Sequence, residues 1–109
     1  MRTYNQDVYI NVAGGLELSE PAADLALCAA VASSLRDRAV GTEIAVMGEV
    51  GLAGEVRTIP QCERRITECA RLGFTTIIVP RACAKRVPRQ EGVNLVGVDT
   101  VAQALSVIF

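Results

Sequence analysis

The stretch FTTIIVP, residues 74–80, is apolar almost without interruption and stops at a proline. Threonine, isoleucine and valine favour extended backbone, and an apolar run without polar alternation reads as a parallel strand covered on both faces. Such a strand requires helices above and below it. Upstream, Pro60 opens a helix in which Ile66, Cys69, Ala70 and Leu72 face inward while Glu63, Arg64, Glu68 and Arg71 face water, and Gly73 ends it. Downstream, VNLVGV (93–98) repeats the buried-strand pattern, and Thr100 caps a last helix with Val101, Ala104, Leu105 and Ile108 at helical spacing.

Further out, TEIAVMGEV (42–50) reads as a strand, and GEVGLAGEV (48–56) as two short strands joined by a tight glycine turn. A phosphate-binding glycine loop is the competing reading. No lysine follows these glycines and no helix opens directly after them, so the hairpin is preferred. Residues 25–35 are apolar or small on every side, which predicts a helix buried on more than one face. Pro21 suits its first turn, Ser19 or Glu20 its cap, and Asp24 its positive end. Before it, Asp7 to Ala13 alternates Val8, Ile10 and Val12 with Tyr9 and Asn11, a strand closed by Gly14 and Gly15. The order β, α, β-hairpin, α, β, short helix, β, α predicts one α/β domain over residues 1–109 with right-handed crossovers.

Composition excludes several classes of function. No apolar run reaches the roughly 18 residues of a membrane span, and the N-terminal residues lack a signal-peptide layout, so a cytoplasmic protein without membrane contact is expected. Histidine and tryptophan are absent and aromatics are 4%, which removes histidine acid/base chemistry and most base stacking. The four cysteines form no C-x-x-C and have no histidine to complete a site, so no metal is expected. Free thiols acting as small hydrophobes are the preferred reading over disulfides. The net charge of −1 hides an asymmetry: residues 1–56 hold three basic and eight acidic side chains, and residues 57–109 eight basic and four acidic. The acid-free run RACAKRVPR (81–89) offers Arg81, Lys85, Arg86 and Arg89, to which Arg57 can add, as candidate contacts to nucleic-acid phosphates.

EPAADLALCAAVASSL (20–35) followed by MGEVGLAGEVRTIPQCERRITECARLGFTTIIVP (47–80) resembles the proteolytic domain of Lon proteases. VAGGLELSEPAADLA, GEVGLAGEVR and ARLGF are closer still to the Lon-like C-terminal domain of the bacterial RadA (Sms) DNA repair family. The resemblance runs from about Asp7 to the last residue. It implies the Lon proteolytic-domain-like fold, within the ribosomal protein S5 domain 2-like superfamily, truncated on its N-terminal side relative to the family. It also implies a larger parent with upstream strands, a helix, a zinc motif and an ATPase that uses ATP and magnesium.

In Lon, a serine in the turn before the alanine-rich helix pairs with a lysine on the later helix. Matched position by position, the serine falls on Ala22, the lysine on Arg65, and the threonine that supports the lysine on Met47. Alanine offers no nucleophile, and an arginine stays protonated where a lysine can be tuned to act as a base. Ser19, Ser33, Ser34 and the single lysine, Lys85, are the remaining candidates for a substitute dyad. What the resemblance then implies is a catalytically silent scaffold with no cofactor in this chain. It would support hexameric ring assembly, DNA binding, homologous recombination and branch migration by an ATP-dependent helicase that works with the recombinase RecA. An active or degenerate Ser/Lys peptidase is the alternative.

Overall fold

The computed structural model of the chain describes residues 23–88 and 91–109. The apolar run at 74–80 forms the middle strand of a three-stranded parallel sheet. β4 (Thr76–Pro80) pairs on one side with β1 (Ile44–Val46), Ile77 opposite Ala45, and on the other with β5 (Asn94–Val98), Ile77 opposite Leu95. Side chains alternate between the faces of a strand, and both faces are covered. Ala45, Met47, Ile77 and Val79 pack under α2 (Cys62–Arg71) and α3 (Arg81–Arg86), with Ile59, Cys62, Ile66, Cys69 and Cys83. Ile44, Val46, Ile78 and Val98 pack under α1 (Asp24–Arg36) and α4 (Val101–Ile108), with Leu25, Ala26, Ala29, Ala30 and Ala104. The expected α/β layering with a parallel sheet is present. Ile77, Ile78 and Val79 have no exposed surface, and burying each contributes about 1.5–3 kcal/mol.

Four local expectations need correction. The strand read over 42–50 is two: β1 ends at Val46, and β2 (Glu49–Val50) pairs antiparallel with β3 (Val56–Arg57). The chain leaves the sheet after the Met47 N–H donates to Ile78 O, because the Gly48 carbonyl turns to accept from Leu25 N at 2.9 Å. α1 buries only one face, through Leu25, Ala26, Ala29, Ala30 and Ser33, and leaves Leu27, Val31 and Leu35 exposed. Leu72 is 55% exposed rather than inward. It lies six residues past Ile66, roughly 240° around the helix, and so off the buried face.

The fourth correction concerns the thiols. Cys62 and Cys83 are joined by a disulfide between α2 and α3, with Cα atoms 5.8 Å apart, whereas Cys28 and Cys69 are free. The two are 21 residues apart, and only the packing of both helices on one sheet face makes them neighbours. α2 itself begins at Cys62 after Gln61, which takes a left-handed conformation. The expected strand at Asp7–Ala13, and Ser19, Glu20 and Pro21, lie outside the described residues. Among the described residues no helix is long and apolar enough to cross a membrane.

Candidate functional site

The carboxyl ends of parallel strands are where an α/β sheet gathers its loops, and the end of β1 is such a place. At the end of β1 the first turn of α1 is clipped to the β1–β2 junction. Leu25 N donates to Gly48 O, and Val50 N donates to Asp24 Oδ2 at 3.3 Å. Met47, the residue before Gly48, is 1% exposed and belongs to the cluster that holds Ile59, Cys62 and Ile66. Arg65 sits one residue before Ile66 on α2, half-buried, with its Nε donating to Pro60 O at 2.9 Å. The backbone of residues 47–48 thus links the first turn of α1, on one face of the sheet, to the cluster that α2 covers on the other. Ala22 lies outside the described residues, but Ala23 beside it is buried at the start of the helix and provides no side-chain cap.

The residues at the positions of the Lon threonine and lysine are a buried thioether and a half-buried guanidinium on the same side of the sheet. Met47 presents a thioether to an apolar cluster where a threonine would present a hydroxyl. Arg65 presents a planar guanidinium, and among the Ser/Lys roles a guanidinium fills none, because it holds its proton. The remaining serines and the lysine have other surroundings. The Ser33 hydroxyl is buried and donates to Arg38 O, and Ser34 is exposed in the last turn of α1. Lys85 lies on α3, on the same face of the sheet as α2, in its exposed last turn. Ser19 lies outside the described residues.

The cations that the sequence singles out have distinct surroundings. Arg57 on β3 pairs with Glu55 at 2.8 Å and approaches Glu49 at 3.9 Å. The hydrogen bond from Arg57 holds the Glu55 carboxyl below its usual range, and Glu55 in turn raises Arg57. Arg81, the first residue of α3, donates from Nε to Asp99 Oδ2 at 2.8 Å. The run 81–89 contains no acid, but β5 delivers Asp99 to its start, so the acid-free character of the segment does not extend to Arg81's surroundings. Lys85 and Arg86 occupy the exposed last turn of α3, and no carboxylate pairs with them among the described residues. Arg89 lies outside the described residues. Arg64, on the exposed side of α2, shares the α2/α3 layer with Lys85 and Arg86. In the sequence it reads as a solvated helix position, since nothing local indicates which helices share a sheet face.

Compared with known proteins, residues 2–109 match the family described as the Lon protease (S16) C-terminal proteolytic domain. The chain is 43% identical over 105 residues to the DNA repair protein RadA of Streptococcus pyogenes serotype M3, covering 96% of this chain and 23% of that protein. It is 50% identical over 103 residues to the RadA of Salmonella typhimurium, covering 94% and 22%, and 46% identical over 101 residues to that of Bacillus subtilis, covering 93% and 22%. The chain thus spans less than a quarter of the length of these relatives.

Proposed function

This chain belongs to the Lon protease C-terminal proteolytic domain family, in the form shared with RadA DNA repair proteins, and from that premise we propose that it is a non-catalytic scaffold. The observation that carries the reading is Arg65 at the position of the Lon lysine, its Nε committed to Pro60 O. A Ser/Lys dyad needs an amine that gives up its proton to accept one from the nucleophile. A guanidinium is not suited to that exchange. Ala22, at the other position of the dyad, and Met47, at the position of the supporting threonine, agree with that loss.

In this reading the domain serves a RadA-type protein in the cytoplasm. It helps hold a hexameric ring and presents phosphate-binding cations to single-stranded or branched DNA, while ATP, magnesium and zinc act elsewhere in the parent and RecA is the partner in recombination. Lys85 and Arg86 lead the DNA contact, joined by Arg64 on the neighbouring helix and by Arg89. Arg57 and Arg81 contribute less while Glu55 and Asp99 hold them, although exposed pairs of this kind are worth at most about 1 kcal/mol and yield to a phosphate. A ring repeats the patch in every subunit, so weak phosphate interactions add.

Two experiments test the two halves of the reading. Incubated with casein and acyl-peptide reporters, the chain releases no product above buffer, and Ala22→Ser alone leaves it silent because Arg65 still stands where the base belongs. Serine-dependent turnover that survives repurification reinstates the peptidase alternative. In a ring-forming, longer protein, changing Lys85, Arg86 and Arg89 to alanine weakens single-stranded DNA binding and flattens its salt dependence by roughly 0.7 in log K per log salt for each phosphate that is no longer neutralised. Unchanged affinity and slope assign these cations to solubility alone.

A further inference from the structure

The Cys62–Cys83 bridge lies in the apolar cluster under α2 and α3, Cys62 4% and Cys83 0% exposed. Its surroundings also suit the reduced pair. The Ile59 carbonyl oxygen stands 3.0 Å from Cys62 Sγ, where it accepts the proton of a thiol, whereas a bridged sulfur has no proton to give. Ala45, Met47, Ile66, Ile77 and Val79 make the rest of the cluster apolar, and a free thiol packs in such a place as a small hydrophobe. Reduction therefore leaves Cys62 with a hydrogen-bond acceptor and Cys83 among apolar neighbours.

What the bond changes is the hold on α3. α2 has 10 residues and buries Ile66 and Cys69 besides Cys62, whereas α3 has 6 and buries Cys83 alone. A helix that short does not stand by itself in water, and no side chain caps its start. Besides the bridge, the exposed Arg81–Asp99 pair and the approach of Arg81 and Ala84 to Gly97 keep it in place. Two thiols take more room than one bridge in an interior that is already close-packed, and α3 is the element with least to hold it against them. We propose that Cys62 and Cys83 form a reversible dithiol–disulfide couple that exchanges with thiols of the glutathione class, and that its state sets how firmly α3 is held to α2. A thiolate attacks Cys62, the less buried of the two; a mixed disulfide forms there as the Cys62–Cys83 bond breaks, and Cys83 leaves as a thiolate and takes a proton. A second thiol attacks the outer sulfur of the mixed disulfide and frees Cys62, which is protonated in turn. Two thiols are thus oxidised to one disulfide, and two electrons and two protons end on Cys62 and Cys83. Lys85 and Arg86 ride on the last turn of α3, so the couple sets how firmly they are placed whether or not they meet phosphate.

The folded chain, equilibrated with reduced and oxidised glutathione at graded ratios, acid-quenched, alkylated and weighed by mass spectrometry, tests the couple, with amide exchange followed in each state. Cys62 and Cys83 pass together from bridged to alkylated across the series while the chain keeps a cooperative melting transition. In the reduced state the Lys85 and Arg86 amides exchange roughly tenfold or more faster, since the tether that opposed opening of α3 is gone, and those of β4 change less. Cys62→Ser combined with Cys83→Ala keeps a donor for Ile59 O and exchanges at the reduced rate at every glutathione ratio; the reduced parent chain supplies the same reading should that variant fail to fold. A pair that stays bridged at every ratio is a permanent staple, and one that alkylates freely without reductant is no bridge; either result overturns the couple. Exchange that rises equally in α3 and β4, or that is the same in both states, overturns the hold on α3.

Discussion

Gly97→Ala perturbs the point where α3 lies closest to the sheet. Gly97 is in β5, opposite Val79, and a Cβ there meets the Arg81 Cα at 3.0 Å and the Ala84 Cβ at 3.1 Å. The first of these is backbone and cannot rotate away, so α3 must move by a few tenths of an ångström. That movement is resisted at two places, by the Cys62–Cys83 bridge and by the Arg81–Asp99 pair. Overpacking of this kind costs about 1–3 kcal/mol, which for a domain of this size lowers the melting midpoint by roughly 5–20 °C. Thermal unfolding followed by circular dichroism measures the loss, and backbone amide shifts concentrated in residues 81–86 locate it. Gly73→Ala is the contrast. There φ is +100° and a Cβ meets nothing within 4 Å, so only backbone strain of about 1–2 kcal/mol is incurred and the α3 amides stay in place. A Gly97→Ala protein within 0.5 kcal/mol of the parent, a margin typical of neutral surface changes, refutes the close approach of α3 to β5 and the layer arrangement built on it.

Thr100 caps α4, its side chain accepting from Gln103 N at 3.2 Å, so Thr100→Ala costs about 1 kcal/mol in chemical denaturation while Thr100→Ser retains most of the parent's stability. Without reductant, alkylation of the folded chain modifies Cys28 first and Cys69 more slowly, and leaves the bridged Cys62 and Cys83 unmodified until reduction; mass spectrometry after each step checks the order. Burial, and behind it Glu68, pushes the Cys69 thiol up to about 11 from its ordinary value near 9. The folded state therefore keeps a proton that the unfolded chain releases earlier. The associated stability is full below pH 9 and is lost as pH rises through about 11, and Cys69→Ala flattens that alkaline fall in a denaturation series against pH.

The candidate site was legible to unequal depth. Ala22, Met47 and Arg65 stand out from sequence because a motif fixes residue types at fixed spacing, and the proposed loss of chemistry rests on the side chains alone. That Met47 faces an apolar cluster, and that Arg65 donates to Pro60 O, depends on how α2 crosses the end of β1. The cation run at 81–89 misleads for a related reason. Asp99, 18 positions from Arg81, becomes its partner only because adjacent parallel strands place the end of β5 beside the end of β4. Cys62 and Cys83 read as separate thiols in the sequence because their meeting, too, depends on two helices sharing one face of the sheet.

By itself the sequence determined the α/β layering, through an apolar run too continuous for a half-exposed strand and through helical periods on either side of it. It also carries the proposed loss of the Ser/Lys pair, which rests on what alanine and arginine side chains offer in any fold. Periodicity is a local property, and side-chain chemistry is an intrinsic one. Only the tertiary structure decided which face of α1 is covered, where the sheet hands over to the β2–β3 hairpin at Gly48, and which cations keep a carboxylate. Those outcomes are set by contacts between residues far apart in the chain, and a helix such as α1, apolar on every side, has no periodicity with which to announce the side that will meet the sheet.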